Sequence, residues 1–291
     1  MQTLTTIADF IRWGASRFAE ARLFFGHGTD NALDEAAALV LGSLHLPPDL
    51  PSNWFGSCLT TAERERVIDL IERRIEERIP LPYLLGEAWF AGMRFHVNER
   101  VLIPRSPIAE LIERGYAPWL EPASPQILDL CCGSGCIGIA TAAYLPDSQV
   151  DLADISADVL LVAQQNVAEY DFQDRVSIHR SDLFEALPQK QYDMIVSNPP
   201  YVGETEMGEL PAEYRHEPVL ALQANENGLE IVQRILQQAA RYLTPQGILI
   251  VEVGNSAQLV MERYPQLPFT WLDFERGGEG VFLLTAADLA E

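Results

Sequence analysis

The chain is short of positive charge. Lys and Arg number 20 against 42 Asp and Glu, giving a formal net charge of −22 over 291 residues. Proteins that grip nucleic acid without regard to sequence do so by neutralising phosphates with Lys and Arg. This balance argues against that mode, and no direct DNA binding is expected. A basic partner would suit the charge, and so would plain solubility. Long apolar runs are missing too. None approaches the ~20 residues that a bilayer-spanning helix needs, and the first residues lack a basic segment followed by an apolar one. The expectation is a soluble cytoplasmic protein with no membrane partner. Cysteine is sparse: Cys58, Cys131, Cys132 and Cys136. The spacing C-C-x-x-x-C is not that of a zinc site, and no second C-x-x-C or paired His supports one. These are expected to be small buried residues in a reduced compartment, with no metal. Repeats and low-complexity segments are also absent.

What is present divides the chain in two. The first eighty-odd residues read as helices. Leu4, Ile7, Ile11 and Phe18 recur on one helical face. Asp34 to Leu46 is rich in Ala and Leu and halts at Pro47-Pro48. Thr60 to Ile79 predicts a third helix, with Ile68, Ile71, Ile75 and Ile79 as its apolar stripe and the "ERER…ERRIEER" charges as a solvated face. In "WFAGMRFHVNERVLIPR", Phe95, Val97 and Val101 or Ile103 predict two short strands around a turn at Asn98-Glu99. A helix restarts at "SPIAELIERGYAPWL", with Ser106 as N-cap and Pro107 at the first helical position. From Gln126 strands and helices alternate, as in a doubly wound α/β domain with a parallel sheet. At the end, "FTWLDFE" and "VFLLTA" flank a Gly-rich turn, which predicts a terminal hairpin and an antiparallel strand. The expected organisation is a helical substrate-recognition domain over 1–85, a β-hairpin linker over 86–105 and an α/β domain over 106–291.

"LDLCCGSGCIGIA" sets Gly133, Gly135 and Gly138 after a strand and at the start of a helix. Asp154 ends the next strand, 21 residues after Gly133, where an acid can take a ribose hydroxyl pair. Glycines admit a ligand close to the backbone, and the helix N-terminus offers free N–H groups. A nicotinamide cofactor and S-adenosylmethionine both fit this pattern, since both carry adenosine. Two acids favour the second. Asp129, just before the loop, would repel a pyrophosphate but suits a cationic amino group. Asp182, after the third strand of the sheet, could accept from an exocyclic amine of adenine.

"YDMIVSNPPYV" ends a buried strand on an amide, two prolines and a ring. Pro199 and Pro200 cannot donate to a ladder, but their carbonyls remain acceptors, and the fixed φ of proline makes them stiff. With the side-chain oxygen of Asn198 they form a cluster suited to a planar NH₂, against which the ring of Tyr201 could lie. Acceptors aimed at such a group stabilise positive charge as its nitrogen is alkylated.

"DLCCGSGCIGIA", "LADIS", "SDLF" and "VSNPPYV", in this order, resemble the class I (Rossmann-like) S-adenosylmethionine-dependent methyltransferases that act on amino or amide nitrogen. The helical N-terminus, "FHVNERVLIPRSP" and "EPVLALQANENGL" are similar to the protein-glutamine N-methyltransferases of the translation machinery. One branch of that family modifies the Gly-Gly-Gln glutamine of peptide release factors and usually carries "IPRPDTE". The other modifies large-subunit ribosomal protein L3. "IPRSPIAEL", "FFGHGTDNALDEAAALVLGSLHLP" and "DLCCGSGC" resemble the second. The resemblance implies S-adenosyl-L-methionine as cofactor, bound by Asp129, Cys131, Gly133, Gly135, Asp154, Ile155, Asp182, Leu183 and Asn198. It implies that Asn198, Pro199, Pro200 and Tyr201 hold the glutamine amide, with Arg105 and Glu217 ordering the hairpin and the loop over the site. An ordinary surface ion pair is the alternative for those two. The expected substrate is ribosomal protein L3; release factors, and then DNA adenine, are the alternatives. Many relatives have glycine where Cys131 stands, so a φ above zero there would strain the cysteine.

Overall fold

Nine strands occur among the described residues: β1 (Glu87–Phe90), β2 (Met93–His96), β3 (Gln126–Leu130), β4 (Gln149–Asp154), β5 (Val176–Arg180), β6 (Tyr192–Ser197), β7 (Leu243–Glu252), β8 (Thr270–Leu272) and β9 (Val281–Thr285). This computed structural model describes residues 4–290, the side chains of Glu226 and Asn227 excepted. The chain forms two compact units. One comprises the residues up to Ala88 together with Pro211–His216, and the other Trp89–Leu210 and the residues from Glu217 onward.

The larger unit is built on a seven-stranded sheet in the order β5-β4-β3-β6-β7-β9-β8. The pairs from β5 to β7 are parallel, and β9 runs antiparallel to both β7 and β8. The terminal hairpin is therefore as expected. Alternation along the strands supplies two cores. Ile127, Met194, Val196, Ile248, Ile250 and Leu283 face one way, against the helices Ile108–Glu113, Cys136–Tyr144 and Ala157–Glu169. Leu128, Leu130, Ile195, Leu249, Val251 and Phe282 face the other, against Glu230–Gln238 and Ala257–Arg263. Strands buried on both faces read as continuous apolar runs, which is why they are plain in the sequence. The helix Glu230–Gln238 precedes β7, which opens at Leu243.

The hairpin before this sheet differs from its expected register. It pairs β1 with β2, and its turn is Ala91-Gly92, with φ of +46° and +72°. Two left-handed residues match the right-handed twist of a two-residue hairpin loop. Ala91 carries no turn signature, so the sequence points instead to Asn98-Glu99. Asn98 does make a turn: its side chain accepts from Arg100 N–H at 3.0 Å and its carbonyl from Val101 N–H at 3.1 Å. No strand follows there. Val101 and Ile103 are buried outside any ladder.

The smaller unit packs the helices Ile7–Glu20, Ala32–Ser43 and Thr61–Glu76 around Phe10, Phe18, Leu39, Val67 and Ile71. Capping boxes at Thr6/Asp9 and Thr60/Glu63 fix two of the starts. The third helix buries Val67, Leu70, Ile71 and Arg74, so of the expected stripe Ile71 is central while Ile68 and Ile75 are partly buried against the same core. Ile79 is buried, but beyond the helix end. Nor is its charge run wholly solvated. Arg74 is fully buried, 2.6 Å from Glu35 and 3.4 Å from Glu213, and it donates to the Phe24 carbonyl at 2.9 Å. No helix among the described residues is long and apolar enough to cross a membrane.

Candidate active site

Parallel register aligns the carboxyl ends of the central strands. Leu130 is level with Ala153 on one side and Ser197 on the other, and Ser197 with Val251. The next residues, Cys131, Asp154, Asn198 and Glu252, therefore share one rim. From β3 the chain goes to β4 on one side and later returns to β6 on the other. Ligands of doubly wound sheets sit at such a switch point. An open cavity of about 1190 Å³, its mouth included, lies there. Its lining includes Arg105, Cys131, Gly133, Asp154, Ile155, Asp182, Leu183, Asn198 and Pro200. Of the other residues singled out in the sequence, Asp129, Gly135, Pro199, Tyr201 and Glu217 are not part of that lining.

The glycine loop is held from below. Cys132 N–H donates to the Ala153 carbonyl at 3.0 Å, and Gly133 N–H to Asp154 Oδ2 at 3.2 Å. The other oxygen of Asp154 accepts from Ser156 N–H at 3.0 Å. Burial pushes the Asp154 carboxyl above the usual range, against the pull of these N–H groups. Cys131 has φ +59°, so the strain anticipated for a cysteine at this place is present. Burial also raises its thiol, and those of Cys132 and Cys136, which keeps them protonated and unreactive.

Asp129 does not present an open face to a ligand. It is fully buried, and Oδ2 accepts from Gly138 N–H at 2.8 Å while Oδ1 has no partner. Burial pushes its carboxyl up to about 8. The protonated acid is thus favoured over the carboxylate that a cationic amino group would want. Gly138 makes the contact possible: a Cβ there would stand 2.3 Å from a Leu152 methyl. The third glycine of the loop therefore serves helix–strand approach.

Asp182 is paired with Arg234 at 2.8 Å, and Arg234 itself lines the cavity. Arg105 and Glu217 form a two-pronged pair at 2.6 and 2.9 Å, and Glu217 also accepts from Ile103 N–H at 3.0 Å. The Glu217 side chain is fully buried, so this is no ordinary surface pair.

In Asn-Pro-Pro-Tyr the four residues separate. Asn198 and Pro200 face the cavity. Among the described residues, no hydrogen bond engages the Asn198 side chain or the carbonyls of Pro199 and Pro200, which leaves the acceptors free. The Tyr201 ring does not lie open for a substrate. Its hydroxyl donates to Glu252 Oε1 at 3.0 Å, and burial beside that carboxylate raises its pKa.

Glu252 and Asn166 are the residues that sequence reasoning missed. Glu252 is a charged residue inside the apolar run "ILIVEVG", a signal of a partnered buried carboxylate. Asn166 is fully buried. It accepts from His96 N–H at 2.7 Å and donates to the carbonyls of His96 and Ser134 at 3.1 and 2.9 Å, joining the hairpin to the glycine loop. Only the tertiary fold brings these partners together.

Residues 117–211 match the model of the methyltransferase small domain. Among solved structures, the hMettl16 catalytic domain in complex with a MAT2A 3′UTR hairpin is similar in fold. Its TM-score is 0.52 at 17% identity, over 82% of this chain and 87% of that one. Similarity in sequence reaches much further. The ribosomal protein uL3 glutamine methyltransferase of Bordetella pertussis is 49% identical over 99% of this chain and 97% of its own length. That of Francisella tularensis is 47% identical over 100% and 93%, and that of Xanthomonas campestris 50% identical over 98% and 93%. With about half its residues shared along almost the whole of all three relatives, the chain belongs to the family of ribosomal protein uL3 glutamine methyltransferases.

Proposed function

We propose that this protein transfers a methyl group from S-adenosylmethionine to the side-chain amide nitrogen of a glutamine in ribosomal protein uL3. The observation that carries this reading is the near-full-length identity to relatives bearing that name. The cavity fits the cofactor. It joins a glycine loop, a carboxylate at Asp154 able to accept from a hydroxyl pair, and the exposed side chain of Ile155 as an apolar face for a base. Asp182 borders the same space with its charge balanced by Arg234. When bound, S-adenosylmethionine supplies an electrophilic methyl group on a sulfonium sulfur.

The chain's own task is to hold a poor nucleophile. An amide nitrogen delocalises its lone pair, and alkylation places positive charge on it. Asn198 and the stiff proline carbonyls offer acceptors to its N–H groups, an arrangement that stabilises such charge as it develops. Holding the nitrogen in line adds the entropic part. A strong base is not required, because an N-alkylated amide cation is itself very acidic. We assign substrate recognition to the N-terminal helical unit and the place of action to the cytoplasm. The net charge of −22 supports a basic protein over duplex DNA as partner.

The test is transfer of labelled methyl to purified uL3, to a release factor and to duplex DNA at physiological salt. Label on uL3 is expected; label confined to either of the others would overturn the assignment.

A further inference from the structure

We infer that Glu252 is a positioning residue for methyl transfer, whose carboxylate holds Tyr201 with one oxygen and Ser106 with the other and so fixes two walls of the cavity. The inference rests on the reaction proposed above. Glu252 ends β7 and is almost fully buried. Its Oε1 accepts from the Tyr201 hydroxyl at 3.0 Å, and its Oε2 from the Ser106 hydroxyl in a short hydrogen bond. Ser106 belongs to the "IPRSP" segment, of which Pro104, Arg105 and Ser106 line the cavity. Tyr201 follows Pro200, another lining residue. A buried carboxylate is costly unless its oxygens are satisfied. Here two hydroxyls satisfy it, and each comes from a different segment of the chain.

Tyr201 is further boxed in. Its carbonyl accepts from Ser256 Oγ at 3.1 Å, and its ring lies over Gly254, where a Cβ would stand 2.6 Å from a ring carbon. A tyrosine held by hydroxyl, ring and carbonyl is not free to fold over a ligand. Its use is to fix the direction in which the preceding proline carbonyls point. The same "IPRSP" segment is gripped a second time by Glu217, through Ile103 N–H and Arg105. Glu252 is the grip that reaches Asn-Pro-Pro-Tyr.

The experiment compares wild type, Glu252→Ala, Glu252→Gln, Tyr201→Phe and the Tyr201→Phe/Glu252→Ala double variant in methyl transfer to uL3. Loss of alignment at a reacting centre costs on the order of 100-fold in rate, so kcat of Glu252→Ala is expected to fall by about that much. KM for S-adenosylmethionine should stay within about threefold, because uniform binding is untouched. Glu252→Gln, which still accepts one hydroxyl, should recover part of the loss. The double variant should be far less impaired than the product of the single effects, since both changes break one interaction. Undiminished kcat in folded Glu252→Ala, or an additive pair, overturns the inference. Where Glu252→Ala does not fold, Glu252→Gln carries the same comparison. NMR of labelled tyrosine reads the arrangement without substrate: Tyr201 should be immobile in wild type and mobile in the variant, and equal mobility in both overturns it. A wild type that methylates no uL3 sinks the proposed reaction, whereas an active wild type with an equally active Glu252→Ala sinks only the positioning role.

Discussion

At Cys131 the backbone adopts φ +59°, a left-handed conformation that costs an L-residue about 1–2 kcal/mol. Cys131→Val should therefore destabilise the protein by more than about 1 kcal/mol, because a β-branched side chain fits that region worst; denaturant melts would show it. Asn198 acts in the opposite sense, at little cost to stability, because among the described residues no hydrogen bond engages its side chain. Asn198→Ala is expected to lower kcat by roughly 100- to 1000-fold, the usual effect of removing one preorganised group, with cofactor binding retained by calorimetry. Asp129 governs a pH dependence. Burial raises its carboxyl in the folded chain to about 8, far above the usual carboxylate range. Its contribution to stability is thus fully present below the unfolded pKa and is lost as pH rises toward 8. Asp129→Asn, which keeps the acceptor for Gly138 N–H, should be the flatter of the two in stability between pH 4 and 8; parallel curves would refute the burial account. The acid at 129 was legible in the sequence, but its burial was not. Whether a carboxylate after a strand faces a ligand or the underside of a loop depends on a helix that packs on it.

The elements divide by how locally they are specified. Central strands announce themselves as apolar runs, and the glycine loop by its spacing after one of them. The hairpin does not, because its turn residues are Ala91-Gly92 while a stronger turn signal stands a few residues on at Asn98. The third helix shows the same limit. An arginine among "ERRIEER" looks solvated, yet Arg74 turns inward because Glu35 and Glu213 wait for it. Glu213 is remote in sequence, so no local pattern reveals the pair. Truncating one partner of such a buried pair typically costs about 3–5 kcal/mol, as it leaves the other charge uncompensated. Arg74→Ala should show a loss of that size in thermal or urea unfolding, and a change under about 1 kcal/mol would mean the network is water-relaxed.

For the whole molecule, the excess of acid over base sets how a partner arrives. A net charge of −22 acting on a basic protein accelerates encounter, and the effect is screened by salt. The kcat/KM for uL3 is expected to fall several-fold between about 0.05 and 0.3 M salt, with kcat nearly constant. A flat profile would remove charge from the account of recognition. Fold class and chemistry were legible in the chain itself, because a parallel sheet, a glycine loop and Asn-Pro-Pro-Tyr are each local in sequence and ordered along it. The supports of the site were not, since Glu252, Ser106 and Asn166 meet their partners only across the fold. The central claim is that uL3 is the substrate and a glutamine amide the acceptor. Mass spectrometry of ribosomal proteins and release factors from cells with and without this protein tests it most directly. The account predicts that one glutamine-containing peptide of uL3 loses a single methyl group when the protein is absent. An unchanged uL3 alongside loss of methylation on a release-factor glutamine would contradict it.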